Sequence, residues 1–539
     1  MFTPSDKVDK ASINLEQEDA RLRKLGVRRE LKREFTKFST LSFALGILGC
    51  SASIASTFNT PLLLGGPGTA IWAWFLGSFG CMAIAASVAE LVSAYPTAGG
   101  IYTSTAFVVP SKYRRSTTFV AAWMTVVGQL ATPASVTFAL SQMIFAAVTI
   151  GTDGTFTAST GQVLGLYVGL NFALGILNSL PTKTLHRIAS FYVYVNLFTT
   201  LAVIIAIPAA GRGNLASHKF VWNTVEDGSG WGSTGFAFLL GILSVQWTDY
   251  DAAAHLSEEV KNAAVATPAA IVSAGLFLTS IFGFFVNVSL CYGVRDLSTL
   301  PGPTQLVFAQ ILWDNLGKRG ALALWSFVII LQTITAATCQ LACIRSIYAI
   351  SRDNALPDGR LFAKVWRVTA TPVNAVICTV VVECLFGLLS LASLVAINAV
   401  FSITAVALDL SYAIPIVAKL YIRLFDTDTE FTPGPFYLGK WGYAVNVYAV
   451  VWTLLETGIL IMPQVYPVTP ATMNYAGPIM GGICGLSWLW YMAFWHRRYY
   501  GPGSPEKLGH GSTRSPSLEE AKEKGVAQSM VRAVDGPGV

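Results

Sequence analysis

Twelve apolar stretches, each long enough to cross a bilayer, recur along this chain and constrain it more than any single motif. They lie near residues 39–62, 69–95, 117–149, 162–180, 188–209, 233–257, 267–292, 320–348, 373–392, 394–420, 441–463 and 476–495. A hydrocarbon core about 30 Å thick needs roughly 20 apolar residues in a helix. A segment in lipid must satisfy its own backbone hydrogen bonds, so each stretch is expected to be helical. The alternating pattern of a β-barrel is absent. Only 12% of the 539 residues are charged and 53% are hydrophobic. A soluble domain carries about 25% charged residues, and half that density leaves too little polar surface to cover a water-soluble globule. The expected fold class is all-α, a polytopic membrane protein.

The net charge of +6 does not point to nucleic acid, because the charges sit between apolar segments rather than on one face. Of the 36 Lys and Arg residues, only Arg212, Lys219, Arg295, Lys318 and Arg319 fall in odd-numbered connections. The positive-inside rule then places both termini in the cytoplasm. Residues 1–38 and 496–539 are expected to be disordered cytoplasmic tails flanking a membrane domain over 39–495. The first apolar run is already a full span, so no cleavable signal peptide is expected. In the long connection after the seventh span, Thr304–Leu316 has a helical apolar pattern that suits the outer surface. The eight cysteines lie in or beside apolar segments without a CxxC pair, and read as small buried hydrophobes. His186, His218, His255, His496 and His510 form no ligand spacing. No metal and no cofactor are expected, and a membrane enzyme is disfavoured.

Two spans look broken. The first carries Gly46-Ile47-Leu48-Gly49-Cys50-Ser51-Ala52-Ser53 at mid-membrane depth. Such small residues fit either a close helix–helix contact or a discontinuous helix that offers backbone groups to a ligand. The sixth runs apolar to Val245, then reads Gln246-Trp247-Thr248-Asp249-Tyr250-Asp251 before a second short helix. Asp251 is placed to cap that second half, and Asp251, His255 and Glu258 share one face. The bland alternative ends the bilayer near Val245 and makes the rest a wet loop. That would leave residues 233–245 too short to cross alone.

The spans bury acids: Glu90, Asp249, Asp251, Glu383, Asp409 and Glu456. Their interiors are read as holding no Lys or Arg to pair with them. Intramembrane acids are costly and mark function, which here means a coupling proton or a substrate with a cationic amine. Glu90 and Asp409 could instead snorkel from span ends, whereas Glu456 lies mid-span. With no intramembrane arginine, a substrate carboxylate would have to be held by backbone N–H groups at the helix breaks.

Several stretches carry a resemblance: Ser53-Ile-Ala-Ser-Thr57 leading to Gly65-Gly66-Pro67, Pro96-Thr97-Ala98-Gly99-Gly100-Ile-Tyr102, His255-Leu-Ser-Glu258-Glu259, Ser351 through Pro357, and Pro433-Gly434-Pro435-Phe436-Tyr437-Leu438-Gly439. On these the chain resembles the amino acid–polyamine–organocation superfamily, and within it the fungal amino acid/choline transporter group that includes GABA permeases. The resemblance implies a LeuT-type fold of two inverted five-helix repeats plus two C-terminal helices. It also implies alternating access around a site between the broken first and sixth helices. Carried over by position, Gly49, Cys50, Ser51, Trp247, Thr248 and Asp249 would line that site, with Gln129, Thr132, Gln332 and Thr335 as neighbours. Asp251, His255 and Glu258 would form hinge and inner gate, with Glu90 and Glu456 as further gating or coupling acids. Helix 1 lacks the superfamily's usual Gly-Ser-Gly break, and Asp249 adds a carboxylate that favours an amine-bearing substrate.

The expected function is secondary active transport of a small amino compound such as GABA, driven by protons. Choline, a polyamine or a specialised amine metabolite is the alternative, and a transporter-like nutrient sensor a more distant one. The expected partners are the small-molecule substrate, a coupling proton and the lipid bilayer. The plasma membrane is the expected location, with the vacuolar membrane as alternative.

Overall fold

The computed structural model describes residues 22–502 apart from 24, 26–30, 32, 212, 246–248, 250, 393, 426–430 and 500. The expected tails therefore lie mostly outside the described residues, as do Trp247 and Thr248 of the expected site. Among the described residues there is no named strand, only two isolated bridges. Ten helices among the described residues are long and apolar enough to cross a membrane.

The first span is two helices, α1 (Lys37–Leu48) and α2 (Cys50–Thr57), separated by Gly49 in the left-handed region at φ 43°. α3 (Asn59–Ala94) turns at Gly66, whose φ of 80° is followed by Pro67. A proline fits the first turn of a helix, where its missing N–H costs nothing, so the second span starts there. α4 (Gly100–Val108) is a short helix after the Pro96–Gly100 turn. α5 (Arg114–Gly151) has 38 residues and so runs about 57 Å, well beyond the bilayer core. Then come α6 (Thr160–Asn178), α7 (Thr182–Ala210) and the short α8 (His218–Asn223).

The sixth segment is α9 (Thr234–Gly241), a 3-10 turn over Ile242–Val245, and after the break α10 (Ala252–His255). The seventh is α11 (Ala263–Ser273), a π-helical stretch Ala274–Phe282 and α12 (Gly283–Tyr292). α13 (Val307–Arg352) is two helices joined at Gly317, whose φ of 67° is not helical, so a separate helix does precede the eighth span near the expected 304–316. α14 (Val373–Ala392), α15 (Leu394–Phe425), α16 (Gly442–Leu460) and α17 (Ala476–Trp490) complete the chain. The twelfth segment is thus a helix of 15 residues, extended by a π-turn over Tyr491–Trp495.

α5 is the central strut, packed against α13 along its length and against α15, while α3 gathers α9, α11 and α16. Large apolar side chains such as Phe79, Phe172, Phe198, Ile205, Leu486 and Phe494 point outward, exposed. A belt of that kind is what lipid, rather than water, would cover.

Both expected tails contain residues that are built into the fold. Phe35 is fully buried and pairs its backbone with the segment after α10: its N–H donates to Glu259 O at 3.0 Å, and Lys261 N–H donates to Phe35 O at 2.9 Å. Tyr499 is also fully buried, its hydroxyl 2.9 Å from that of Tyr102. Aromatic rings in those positions bury enough area to anchor a chain end.

Candidate substrate site and gate

The two breaks face one another across a partly enclosed chamber of about 90 Å³. Its walls include Leu48, Ser53, Ser56 and Thr57 of the first span, Trp74, Thr132, Asp249, Thr279, Gln332, Thr335 and Cys339. Each wall has a local cause. Gly49 takes the left-handed turn, and a Cβ built there would sit 2.6 Å from Thr335 Oγ1. Only glycine fits so close an approach at positive φ. Pro133 removes the helical hydrogen bond to the carbonyl of Gln129 in α5. The Thr132 hydroxyl meanwhile donates to Gly128 O at 2.8 Å. Thr279 comes from the π-helical stretch, a distortion frequent at functional sites.

Asp249 sits in the left-handed region at φ 66°. It is only 2% exposed. Gln129 Nε2 donates to its Oδ1 at 2.5 Å. Its Oδ2 has no hydrogen-bond partner among the described residues. Beside it stands His255, whose Nδ1 donates to Ala98 O at 2.8 Å. His255 Nε2 lies 3.3 Å from Asp251 Oδ2 and 3.3 Å from Gln129 Nε2. A proton on Nε2 would be given to the carboxylate; without it, Nε2 accepts from the amide. The Tyr412 hydroxyl donates to Asp251 Oδ1 at 2.8 Å. Ligand atoms of Asp249, Asp251 and His255 all lie within 4.8 Å of one another, close enough to share one small cation.

Not every expected residue reaches the chamber. Thr132, Asp249, Gln332 and Thr335 line it. Gln129 acts on it through Asp249, and Gly49 abuts Thr335. Ser51 turns away, its hydroxyl 2.9 Å from Thr200 Oγ1 on α7, and Cys50 is buried beside it. Ser53, Ser56, Thr57, Trp74, Thr279 and Cys339 were not anticipated. The first three share one face of α2 at i, i+3 and i+4, which is a legible signal.

Asp251 precedes α10, but its carboxylate makes no cap to that helix. It turns instead to the start of α4, where a Cβ on Gly100 would stand 3.1 Å from Asp251 Oδ2. Glu258 joins the same turn, accepting from Ala98 N–H at 3.1 Å, and forms a two-pronged pair with Arg352 at 3.0 and 2.9 Å. Glu259 accepts from Arg345 Nε at 2.5 Å. The Pro96–Gly100 turn, the end of the sixth segment and the end of α13 are thereby clamped together.

These pairs correct one expectation. Arg345 lies within α13 and is fully buried. Lys419, on α15, donates to Glu90 Oε2. Glu90 also accepts from Leu438 N–H at 3.3 Å, so the Pro433–Gly439 loop docks on it away from the chamber. Base does meet acid inside the bundle, at the ends of long helices that outrun the bilayer core. Glu456 and Asp409, each 2% exposed, face one another between α16 and α15 and also lie apart from the chamber wall.

Residues 35–484 match the profile of the amino acid permease family. An uncharacterised amino-acid permease of Schizosaccharomyces pombe is 39% identical over 90% of this chain and 89% of its own length. Amino-acid permease 2 of Neurospora crassa is 34% identical, covering 93% of this chain and 92% of its own. The GABA-specific permease of Saccharomyces cerevisiae is 31% identical, covering 90% and 85%.

Proposed function

The chain belongs to the amino acid permease family and is an integral, multi-pass membrane protein, and from that premise we propose that it is a proton-coupled, alternating-access transporter of GABA or a similarly small amino compound. The observation that carries this reading is Asp249, an almost fully buried carboxylate at a helix break, on the wall of a small chamber. It would hold the ammonium group of the substrate. Among the described residues the chamber wall supplies hydroxyls and one amide but no basic side chain. The substrate carboxylate would therefore rest on the N–H groups that open α2, at the positive end of its dipole. A chamber of about 90 Å³ favours a small ligand, and the GABA specificity in the name of the yeast relative agrees.

The coupling proton would be exchanged among Asp249, His255 and Asp251, whose polar atoms lie within 4.8 Å of one another, while Gln129 holds Asp249 in place. The Glu258–Arg352 and Glu259–Arg345 pairs would form the inner gate, opening when the sixth segment swings away from α13. Under this reading both termini face the cytoplasm and the protein imports across the plasma membrane. Trp74 on the chamber wall keeps a cationic amine such as choline as the second reading, because an aromatic face attracts quaternary ammonium.

Uptake of radiolabelled GABA in a permease-deficient cell, with choline and putrescine as competitors, tests both. Asp249→Asn should abolish uptake with surface expression intact; unchanged uptake removes Asp249 from the mechanism. A protonophore should stop transport and sodium replacement should not. A sodium requirement would overturn the coupling.

A further inference from the structure

Asp249, Asp251 and His255 are arranged as donors to a common centre. Each offers one oxygen or nitrogen, and the three atoms lie within 4.8 Å of one another. Asp251 and His255 stand at i and i+4, with His255 Nε2 3.3 Å from Asp251 Oδ2. That gap is longer than the roughly 2.8 Å at which a charged imidazole ordinarily donates to a carboxylate. Two ligands on one tetrahedral zinc ion, each about 2.0–2.1 Å from the metal, stand roughly 3.3–3.4 Å apart, which matches this pair. The outward atoms of all three side chains are already taken. His255 Nδ1 donates to Ala98 O at 2.8 Å, which leaves Nε2 with the lone pair of a neutral ring. The Tyr412 hydroxyl donates to Asp251 Oδ1 at 2.8 Å, and Gln129 Nε2 donates to Asp249 Oδ1 at 2.5 Å. A hydrogen-bonded partner behind each donor is the arrangement that orients metal ligands.

Asp249 Oδ2 is buried and has no hydrogen-bond partner among the described residues, on a side chain that is almost wholly enclosed. Buried polar atoms are nearly always paired, so this oxygen calls for a proton donor or a cation. Among the described residues no Lys or Arg forms an ion pair with either aspartate. With the ring neutral, two buried carboxylates carry a double negative charge, which is costly until a dication balances it. The imidazole nitrogen decides which dication. Zinc and its neighbours accept such a ligand readily, whereas magnesium and calcium take oxygen. Gly100 walls the cluster at φ 54°, and a Cβ there would stand 3.0 Å from His255 Cε1 and 3.1 Å from Asp251 Oδ2. Glycine at that position leaves both ligands their room. Asp249 also lines the chamber, so the cluster is reached from the same space as the substrate site.

We propose that Asp249, Asp251 and His255 form a binding site for a divalent transition-metal ion of the zinc class, held by one imidazole nitrogen and two carboxylate oxygens. Binding draws Asp249 in towards the other two until all three donors reach the ion. It also ties the residue at the break to α10, which fixes the sixth segment in one arrangement. Asp249 is the shared group. The carboxylate that would hold the substrate ammonium is occupied by the ion, so zinc would block transport. That inhibition rests on the transport reading above; the metal site itself does not.

The test is calorimetric titration of zinc into the purified full chain, without a histidine tag and in lipid nanodiscs, with zinc-edge X-ray absorption on the loaded sample. One ion per chain should bind, coordinated by a single imidazole and by oxygen, with no sulfur. Asp249→Asn and His255→Gln should each remove that binding. Tyr412→Phe keeps all three ligands and the ring packing, so it serves even where a ligand variant fails to fold. It should weaken binding by about 10–100-fold, as loss of an outer partner does. No saturable binding, a sulfur ligand, or an affinity that either Asp249→Asn or Tyr412→Phe leaves unchanged overturns the proposal. In cells, added zinc should stop uptake until a chelator removes it. Zinc that binds as described without slowing uptake would refute the role given to Asp249 in transport and leave the metal site standing.

Discussion

Replacing Gly49 by alanine should damage the protein through two separable effects. The first is conformational: φ is 43°, and an L-residue in the left-handed region costs about 1–2 kcal/mol. The second is steric. The added Cβ would meet Thr335 Oγ1 at 2.6 Å, and overpacking of this kind costs typically about 1–3 kcal/mol. Together they predict a loss of about 2–5 kcal/mol for Gly49→Ala. Thr335→Ala alone leaves the Tyr192 hydroxyl without its 3.2 Å partner, a penalty of about 1–3 kcal/mol for a buried group. In the double variant the methyl added at position 49 occupies space that the threonine hydroxyl gave up, so the steric part vanishes and the strain stays. The double variant should then be more stable than the sum of the singles by about 1–3 kcal/mol. Reversible unfolding in mixed micelles, run on all four proteins, measures this coupling. If the effects add within about 0.5 kcal/mol, as for independent sites, the close approach of the first span to α13 is refuted.

Three further outcomes follow from the gate and the periphery. Arg345→Met should destabilise by about 3–5 kcal/mol because it strands Glu259 as a buried charge. Adding Glu259→Gln should recover most of that loss in the same unfolding assay. Cys339, on the chamber wall, should be alkylated by a small thiol reagent in the open protein and protected by saturating substrate; labelling that ignores substrate would place the ligand elsewhere. Asp227, in the connection before the sixth segment, accepts from Ser229 Oγ at 2.5 Å and from the N–H groups of Ser229, Gly232 and Ser233. The Ser229 hydroxyl, with those amides behind it, holds its carboxyl below the usual carboxylate range. Its stabilising contribution is therefore complete above that range and lost as pH falls through the depressed value. Asp227→Asn should lower thermal stability at neutral pH and converge with the wild type in strong acid.

What the sequence made legible, and what it hid, divides along the range of the interactions. The spans and both breaks were legible because each is a local property: hydrophobic length, a run of small residues, a polar cluster inside an apolar segment. The acid–base pairing was not, because the partners are far apart in the chain. Glu259 meets Arg345 across 86 positions and Glu90 meets Lys419 across 329. Arg345 lies close to the end of the apolar stretch at 320–348, and hydropathy marks where such a stretch weakens and not where the helix stops. α13 continues to Arg352 and carries both arginines into the clamp. The orientation of Ser51 was hidden for a different reason. Successive residues on a helix turn by about 100°, and the left-handed kink at Gly49 resets that phase. Whether Ser51 or Ser53 faces the chamber then depends on one dihedral that composition does not encode. Ser53, Ser56 and Thr57 could nevertheless have been chosen as a helical face once α2 was taken to begin afresh at Cys50. The same argument explains Asp251. Its position ahead of α10 was right for a cap, but the Tyr412 hydroxyl and the Ile101 N–H at the start of α4 offer its carboxylate competing partners. A four-residue helix has little dipole to hold it back. That exchange ties the sixth segment to the start of α4 rather than to itself, as the gate proposed above would require.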